Sequence, residues 1–477
     1  METKIQIEWC KSPVEHLYLS NKTIIMTLIK SISGIRGTIG GKVSDNLTPV
    51  DIVKFTAAYA SIIKASHPNK PKVVVGRDAR ISGPMVQSLV NATLIGMGVT
   101  VIDLDLSTTP TVAIAVPLEK AQGGIILTAS HNPKEWNALK LLNEKGEFIS
   151  NEVGQEVLTL AAESQFNFSE VDDLGKHIPN TDYLNIHIQE VLNLSLVHAE
   201  TIRKAKLTVV VDGVNSSGGV QVIPLFCEPT GHFPHNPEPL EEHLTDIKQK
   251  VLETGAHLGI VVDPDVDRLA FVSEDGSMFG EEYTLVACAD YVLSKTAGAT
   301  VSNLSSTRAL ADVTAKHGQT YTASAVGEVN VVNSMKDTQA VIGGEGNGGI
   351  IYPESHYGRD ALVGVALFLM HLVEKNIKAS ELRASYPAYF MRKDKISLTA
   401  DINVDAILNN MAKRYSHEKV GTIDGVKIDF ENHWVHLRKS NTEPIIRIYT
   451  EATSLDLATS VADAFMEEIM TLSKTLN

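Results

Sequence analysis

Short runs of β-branched and aliphatic residues alternate with longer helical patterns along most of the chain, and each run ends in a glycine-rich or polar loop. The run Lys-Val-Val-Val-Gly-Arg-Asp at residues 72–78 is apolar through its middle rather than alternating. Strands buried on both faces read this way. Runs of this kind separated by helical stretches predict α/β architecture with crossover connections. The theme recurs in pairs about 50 residues apart. Residues 72–78 are followed by Gly-Gly-Ile-Ile-Leu-Thr-Ala-Ser-His-Asn-Pro at 123–133. Leu-Thr-Val-Val-Val-Asp-Gly at 207–213 is followed by Leu-Gly-Ile-Val-Val-Asp-Pro-Asp-Val-Asp-Arg at 258–268. Ala-Thr-Val-Ser-Asn-Leu at 299–304 is followed by Ala-Val-Ile-Gly-Gly-Glu-Gly-Asn-Gly-Gly at 340–349. Three units of one design are expected, each offering loops at the carboxyl ends of its strands, where ligands gather in open α/β sheets.

The pattern changes after Tyr-Pro-Ala-Tyr-Phe at 386–390. Ile-Asp-Gly-Val-Lys-Ile-Asp-Phe at 423–430 and Trp-Val-His-Leu-Arg at 434–438 alternate as antiparallel strands do, and a helix is expected over about 456–474. The expected organisation is three similar α/β domains with mixed sheets, at residues 26–180, 181–280 and 281–388, and a smaller α+β domain at 389–477. Residues 1–25 lack clear periodicity and read as an N-terminal extension.

Composition narrows the function classes. The 477 residues exceed what one core supports. Apolar content of 43% and charged content of 21% are those of a soluble globular chain. The formal charge of −15 argues against nucleic acid as a partner. It leaves room for a small anionic substrate, because a few cations in one cleft set their own local field. Cys10, Cys227 and Cys288 are too far apart for a zinc or disulfide pattern. No apolar run approaches the length of a membrane span. A cytoplasmic protein without membrane partners, monomeric or homodimeric, is expected.

Four loops carry candidate chemistry. In Thr128-Ala129-Ser130-His131-Asn132-Pro133 a hydroxyl follows an apolar strand, beside a histidine and near Lys140. A phosphoryl-transfer nucleophile needs such a hydroxyl in a stiff turn, although a capped turn has the same sequence. In Asp263-Pro264-Asp265-Val266-Asp267-Arg268 three carboxylates alternate. Their repulsion is relieved by a hard cation with oxygen ligands, and the alternative is a solvated acidic turn. Arg438 to Arg447 bracket Lys439, Ser440, Asn441 and Thr442 in a proline-bounded loop, a mix suited to phosphate or to a solvated surface. Gly343 to Gly349 surround Glu345 and Asn347, either a sugar-binding loop or a tight hairpin. Ser33-Gly34-Ile35-Arg36-Gly37 and Gly76-Arg77-Asp78-Ala79-Arg80 add arginines in loops. A structural ion pair is the favoured reading for Asp78.

Together, in this order, these loops resemble those of the α-D-phosphohexomutase family from about Thr27 to the C-terminus. The resemblance implies four domains around a central cleft, carrying in turn the phosphoserine, metal, sugar and phosphate loops. It implies Mg²⁺ held by Asp263, Asp265, Asp267 and the phosphate on Ser130. Arg36, His131, Lys140 and Arg268 are then expected near the reacting phosphate. Glu345 and Asn347 would face the sugar, and Arg438, Ser440, Asn441, Thr442 and Arg447 the other phosphate. The implied substrate is a hexose phosphate, with a hexose bisphosphate as activator. Phosphoglucosamine mutase is the leading reading and phosphomannomutase/phosphoglucomutase the alternative. A non-catalytic phosphosugar-binding protein is the rival from another class. Pro264, Asn347 and Asn441 depart from the family pattern, the last two in loops that bear on the choice of sugar.

Overall fold

The computed structural model describes residues 26–31, 34–218, 223–397, 402–439 and 445–475. The extension at 1–25, with Cys10, and Ser33 lie outside the described residues.

Valine and isoleucine runs form the centre of each sheet because both faces are covered. Val73 and Val75 pack into one core, and Val74, between them, into another on the opposite face. Ile125 and Leu127 divide from Ile126 in the same way. This two-sided burial is why the runs lack alternation.

The first sheet has seven strands. At its centre Thr100–Leu106, Lys72–Arg77 and Gly123–Leu127 run parallel, and Trp136–Leu142 returns antiparallel beside Gly123–Leu127. The second sheet repeats the order with Ile223–Leu225, Val209–Asp212, Leu258–Val262 and antiparallel Leu269–Ser273. The third repeats it again with Tyr321–Ser324, Thr300–Asn303, Ile342–Glu345 and antiparallel Gly349–Ile351. Each unit therefore carries a hairpin after its third parallel strand, at the edge of the second and third sheets and extended by Gly34–Thr38 and Ile29–Ser31 in the first. The three hairpin turns hold Ser130, the three aspartates and Gly346–Gly348.

One continuous core joins the second and third units, since Ile260 and Val262 share it with Ile342 and Ile350. The last domain is a five-stranded antiparallel sheet, Phe390–Ser397, Ile445–Ala452, His433–Lys439, Val426–Asp429 and Lys419–Gly421 in spatial order. Helices Val404–Arg414 and Leu455–Thr475 accompany it. Ile396, Ile428, Val435, Leu437, Ile446 and Ile448 form its core. No helix of the described residues is long and apolar enough to cross a membrane.

Two expected loops are strands in part. Arg36 lies within the strand Gly34–Thr38, opposite Ala138. Arg438 and Arg447 lie in His433–Lys439 and Ile445–Ala452, directly opposite each other. In the first place glycines obscure a short strand that pairs with residues 29–31 and 136–139; in the second, charge and proline mark the facing ends of the two strands of one hairpin.

Candidate active site

Ser130 follows the strand Gly123–Leu127 with φ of +50°, a left-handed conformation uncommon for a residue with a side chain. A buried arginine holds it there. Arg80 donates from Nη2 to the carbonyls of Ser130 and Asn132, at 2.5 and 2.7 Å. From Nη1 it donates to those of Pro133 and Trp136, at 2.7 and 3.0 Å. Asp78 pairs with Arg80 at 3.0 Å, both fully buried, and accepts from Thr128 Oγ1 at 2.7 Å. Asp78 is thus the structural ion pair its sequence suggested. Arg80, one of the loop arginines of the sequence, is its partner, and the four carbonyls that it holds had no signal in the sequence.

The aspartate turn meets the serine turn directly. Ser130 Oγ donates to Asp263 Oδ2 at 2.8 Å. Asp263 Oδ1 accepts from the backbone N–H groups of Asp267 and Arg268, both at 3.1 Å, which closes the turn. All three aspartates are fully buried. The protein's own cations also reach them. Lys140 Nζ donates to Asp265 Oδ2 at 2.6 Å and lies 3.6 Å from Asp267 Oδ2. Arg359 Nη2 donates to Asp267 Oδ2 at 2.6 Å. Two helix N-termini add their partial positive charge. Thr109 N–H bonds the Asp265 carbonyl at 2.9 Å, and Ala361 N–H the Val266 carbonyl at 3.2 Å. Thr109 Oγ1 also donates to Asp265 Oδ2 at 2.5 Å.

These contacts set the charge states. Burial, with Asp265 and Asp267 adding to it, lifts the Asp263 carboxyl well above its ordinary value. Burial also opposes ionisation of Asp265, but Lys140 and Thr109 outweigh it and hold that carboxyl below the usual range. Burial disfavours the Lys140 ammonium, and Asp265 with Asp267 more than reverses this, so its pKa is raised. His131 is pushed down to about 2 by burial and by Arg268 and Arg36, so its imidazole is neutral near pH 7. His131 Nδ1 has no hydrogen-bond partner among the described residues. Burial and the neighbouring Arg268 lower the Arg36 guanidinium from its ordinary value. Arg268 Nη1 pairs with Glu238 at 3.2 Å. Glu238 is a residue that sequence reading missed.

Asp265 Oδ1 and Asp267 Oδ1 are buried with no hydrogen-bond partner among the described residues. Buried carboxylate oxygens without donors are costly. One oxygen from each of the three aspartates lies within 4.8 Å of the others. Hard oxygen donors at this spacing fit a divalent cation such as magnesium.

The third turn adjoins this cluster. Leu269 N–H bonds the Gly348 carbonyl at 3.1 Å. Glu345 is 6% exposed. Its Oε1 accepts from Asn303 Nδ2 at 2.8 Å and its Oε2 lies 3.2 Å from Arg359 Nη1. Asn347 Oδ1 accepts from Gly349 N–H at 3.3 Å, so here it shapes the turn. The hairpin reading of this loop therefore holds. Arg438 and Arg447 are not joined to this cluster. Arg438 Nε pairs with Asp424 at 2.9 Å, and Arg447 is exposed. Lys395 stands opposite Arg447 on the next strand and makes a row of three cations with them, which the sequence did not reveal. Ser440, Asn441 and Thr442 lie outside the described residues. An apolar groove of about 380 Å³, lined by Ile188, Leu192, Leu362 and Leu369, shares no residue with the cluster.

Comparison with known proteins covers all four domains. Four family models match in sequence: phosphoglucomutase/phosphomannomutase alpha/beta/alpha domain I at residues 28–168, domain II at 185–276, domain III at 280–389 and the C-terminal domain at 391–468. A Thermococcus kodakarensis protein named phosphoglucomutase/phosphomannomutase is 33% identical over 88% of this chain and 95% of its own. A Methanopyrus kandleri protein named probable phosphoglucosamine mutase is 30% identical over 91% and 96%. The crystal structure of a phosphoglucomutase/phosphomannomutase family protein from Burkholderia thailandensis, 24% identical, shares the fold with a TM-score of 0.79 over 94% of this chain and 98% of that one. With its serine, aspartate and glycine turns in consecutive matched domains, the chain belongs to the phosphoglucomutase/phosphomannomutase family, the phosphohexomutases of the isomerase class.

Proposed function

We propose that the protein interconverts hexose 6-phosphate and hexose 1-phosphate through a phosphoryl group carried on Ser130, with glucosamine phosphate as its preferred substrate. The observation that carries this reading is the Ser130 hydroxyl at 2.8 Å from Asp263, beside three buried carboxylates and Lys140. Asp263, Asp265 and Asp267, with an oxygen on Ser130, would hold Mg²⁺, which supplies positive charge to the phosphoryl oxygens.

In the resting enzyme Ser130 is phosphorylated. The bond from Ser130 Oγ to phosphorus breaks as O1 of a hexose 6-phosphate bonds to it, giving a 1,6-bisphosphate. The bisphosphate turns over in the cleft, and Ser130 Oγ then takes the phosphoryl group from O6. The products are hexose 1-phosphate and phosphoserine, so atoms balance over the cycle. Free hexose bisphosphate acts as activator by reloading a bare serine. Such transfers leave the protein chiefly positioning and charge stabilisation to supply. Arg36, Lys140 and Arg268 face the phosphoryl oxygens, and neutral His131 offers an uncommitted nitrogen to the bridging or leaving oxygen. Glu345 and Asn347 bind the sugar. The distal phosphate falls to Arg438, Ser440, Asn441, Thr442 and Arg447. Like charges directly opposite on neighbouring strands repel, and a phosphate between Arg438 and Arg447 would relieve this.

The preference for glucosamine is supported by the relative named probable phosphoglucosamine mutase. The second reading, glucose or mannose phosphate, is favoured by the 33% identical relative named for those activities. Parallel assays with glucosamine 6-phosphate, glucose 1-phosphate and mannose 1-phosphate, each with trace bisphosphate, test the choice. Highest kcat/KM on glucosamine 6-phosphate is expected, and a higher value on either other sugar would reject it. Intact mass should reveal about 80 Da of phosphate on Ser130.

A further inference from the structure

Arg359 lies eleven residues past the sugar turn in sequence, in Tyr-Gly-Arg-Asp at 357–360, and belongs to none of the motifs above. It is 8% exposed. Its single guanidinium serves three carboxylates from three segments. Nη2 donates to Asp267 Oδ2 at 2.6 Å, on the aspartate turn. Nη1 lies 3.2 Å from Glu345 Oε2, on the sugar turn. Nε donates to Glu328 Oε2 at 2.7 Å, in the first turn of the helix Glu328–Thr338. A planar fork can hold several carboxylates at once, which a lysine ammonium on its flexible stem does less well.

The surroundings fix this fork. The backbone of Arg359 bridges Ile351, on the returning strand of the sugar hairpin. Its stem crosses Gly349 so closely that a Cβ there would lie 2.3 Å from Arg359 Cδ. The next residue, Asp360, caps the helix Ala361–Lys375 through Leu362 and Val363 N–H. It also accepts from buried His187 at 2.8 Å. The backbone is thus anchored on both sides, and Arg359 links the sugar hairpin, through its backbone bridge to Ile351, with a carboxylate of the aspartate turn, through its guanidinium. The oxygen that it occupies on Asp267 is Oδ2, which leaves buried Oδ1 without a hydrogen-bond partner among the described residues.

We propose that Arg359 is a positioning residue that couples the two turns, so that hexose phosphate binding at Glu345 and divalent-cation binding at Asp267 strengthen each other. This rests on the roles given above to Glu345 and the aspartates. A ligand drawing Glu345 into hydrogen bonds moves the guanidinium that orients Asp267, and by linkage the metal tightens sugar binding by the same factor. Without the fork, Asp267 turns toward Lys140, 3.6 Å from its Oδ2, or toward Arg268, and its free oxygen leaves the cluster.

The test uses the full-length protein and Mn²⁺ as probe, titrated by calorimetry with and without saturating glucosamine 6-phosphate or glucose 1-phosphate. For the unaltered protein the sugar phosphate should tighten Mn²⁺ at least about 5-fold. In Arg359→Lys, Mn²⁺ alone should bind about 10-fold more weakly, the tightening should fall to within about 2-fold, and KM should rise more than kcat falls. Gly349→Ala, which displaces the stem and alters no charge, should lose the tightening as well and keeps the test available if the lysine variant misfolds. Unchanged Mn²⁺ affinity and unchanged tightening in a folded variant would overturn the coupling while leaving the mutase reading intact. Absence of Mn²⁺ binding in the unaltered protein would instead overturn the metal reading, and this inference with it.

Discussion

The serine turn and the aspartate turn occupy the same place in two copies of one sheet, yet they are stabilised in opposite ways. Each follows the third parallel strand of its unit and precedes the antiparallel return. The serine turn is held through its backbone: Arg80 reads four carbonyls and leaves the Ser130 side chain to face its neighbour. The aspartate turn is held chiefly through its side chains, by Lys140 from the first unit and Arg359 from the third, while two helix N-termini bind its backbone carbonyls. A nucleophile must be exposed to its substrate and so is fixed by what surrounds its peptide bonds. A cluster of carboxylates must be neutralised and so is fixed by cations. The common scaffold supplies the position, and contacts between units supply the chemistry.

That contrast can be broken most severely at Ser130. Ser130→Ala should lower mutase turnover by on the order of 10⁴-fold or more, with an unchanged circular dichroism spectrum. Substantial turnover in the variant would remove the serine from the mechanism. Asp263→Asn tests the opposite turn: activity should drop about 10²–10³-fold, and Mn²⁺ affinity should fall in the same protein. Arg80→Met separates backbone support from chemistry. It strands buried Asp78 and frees the serine turn, so stability should fall by about 3–5 kcal/mol in denaturant unfolding. A loss below 1 kcal/mol would mean that the turn does not depend on this arginine.

The smallest effect concerns the third turn, which leans on Glu282. A Cβ on Gly346 would strike this carboxylate, which also accepts from Thr307 N–H at 3.0 Å. Burial raises its pKa to about 8, with Lys393 opposing and Glu281 adding. The folded protein therefore binds a proton that the unfolded chain has released above its ordinary value. Stability from this group is complete below about pH 4.5 and declines as pH rises through 8, at most about 1.4 kcal/mol per pH unit. In Glu282→Gln the decline between pH 6 and 8 should be shallower; identical slopes would assign it to other groups.

The legible part of the molecule is that whose physics is local. Apolar runs buried on both faces marked the strands that lead to Ser130, Asp263 and Glu345, and three carboxylates within five residues announced a charge problem wherever they fold. The strand Phe390–Ser397 escaped notice because only Ile396 of its residues is buried, so no face carries an apolar stripe. Arg36 read as a loop residue because glycines flank a short strand that is fixed by pairing with residues 29–31 and 136–139.

By itself, the sequence determined the α/β repetition, the serine, aspartate and glycine turns, and the likeness to phosphohexomutases. Only the tertiary structure decided that the three turns are equivalent, that Ser130 touches Asp263 across 133 positions of chain, and that Arg80, Thr109, Glu238 and Arg359 support them. Lys140 and Asp265 are 125 residues apart, Arg359 and Asp267 92. Such pairs leave no periodicity or spacing in the chain. Lys140 and Arg359 are specified by the charge that they meet in space, and that charge comes from another unit.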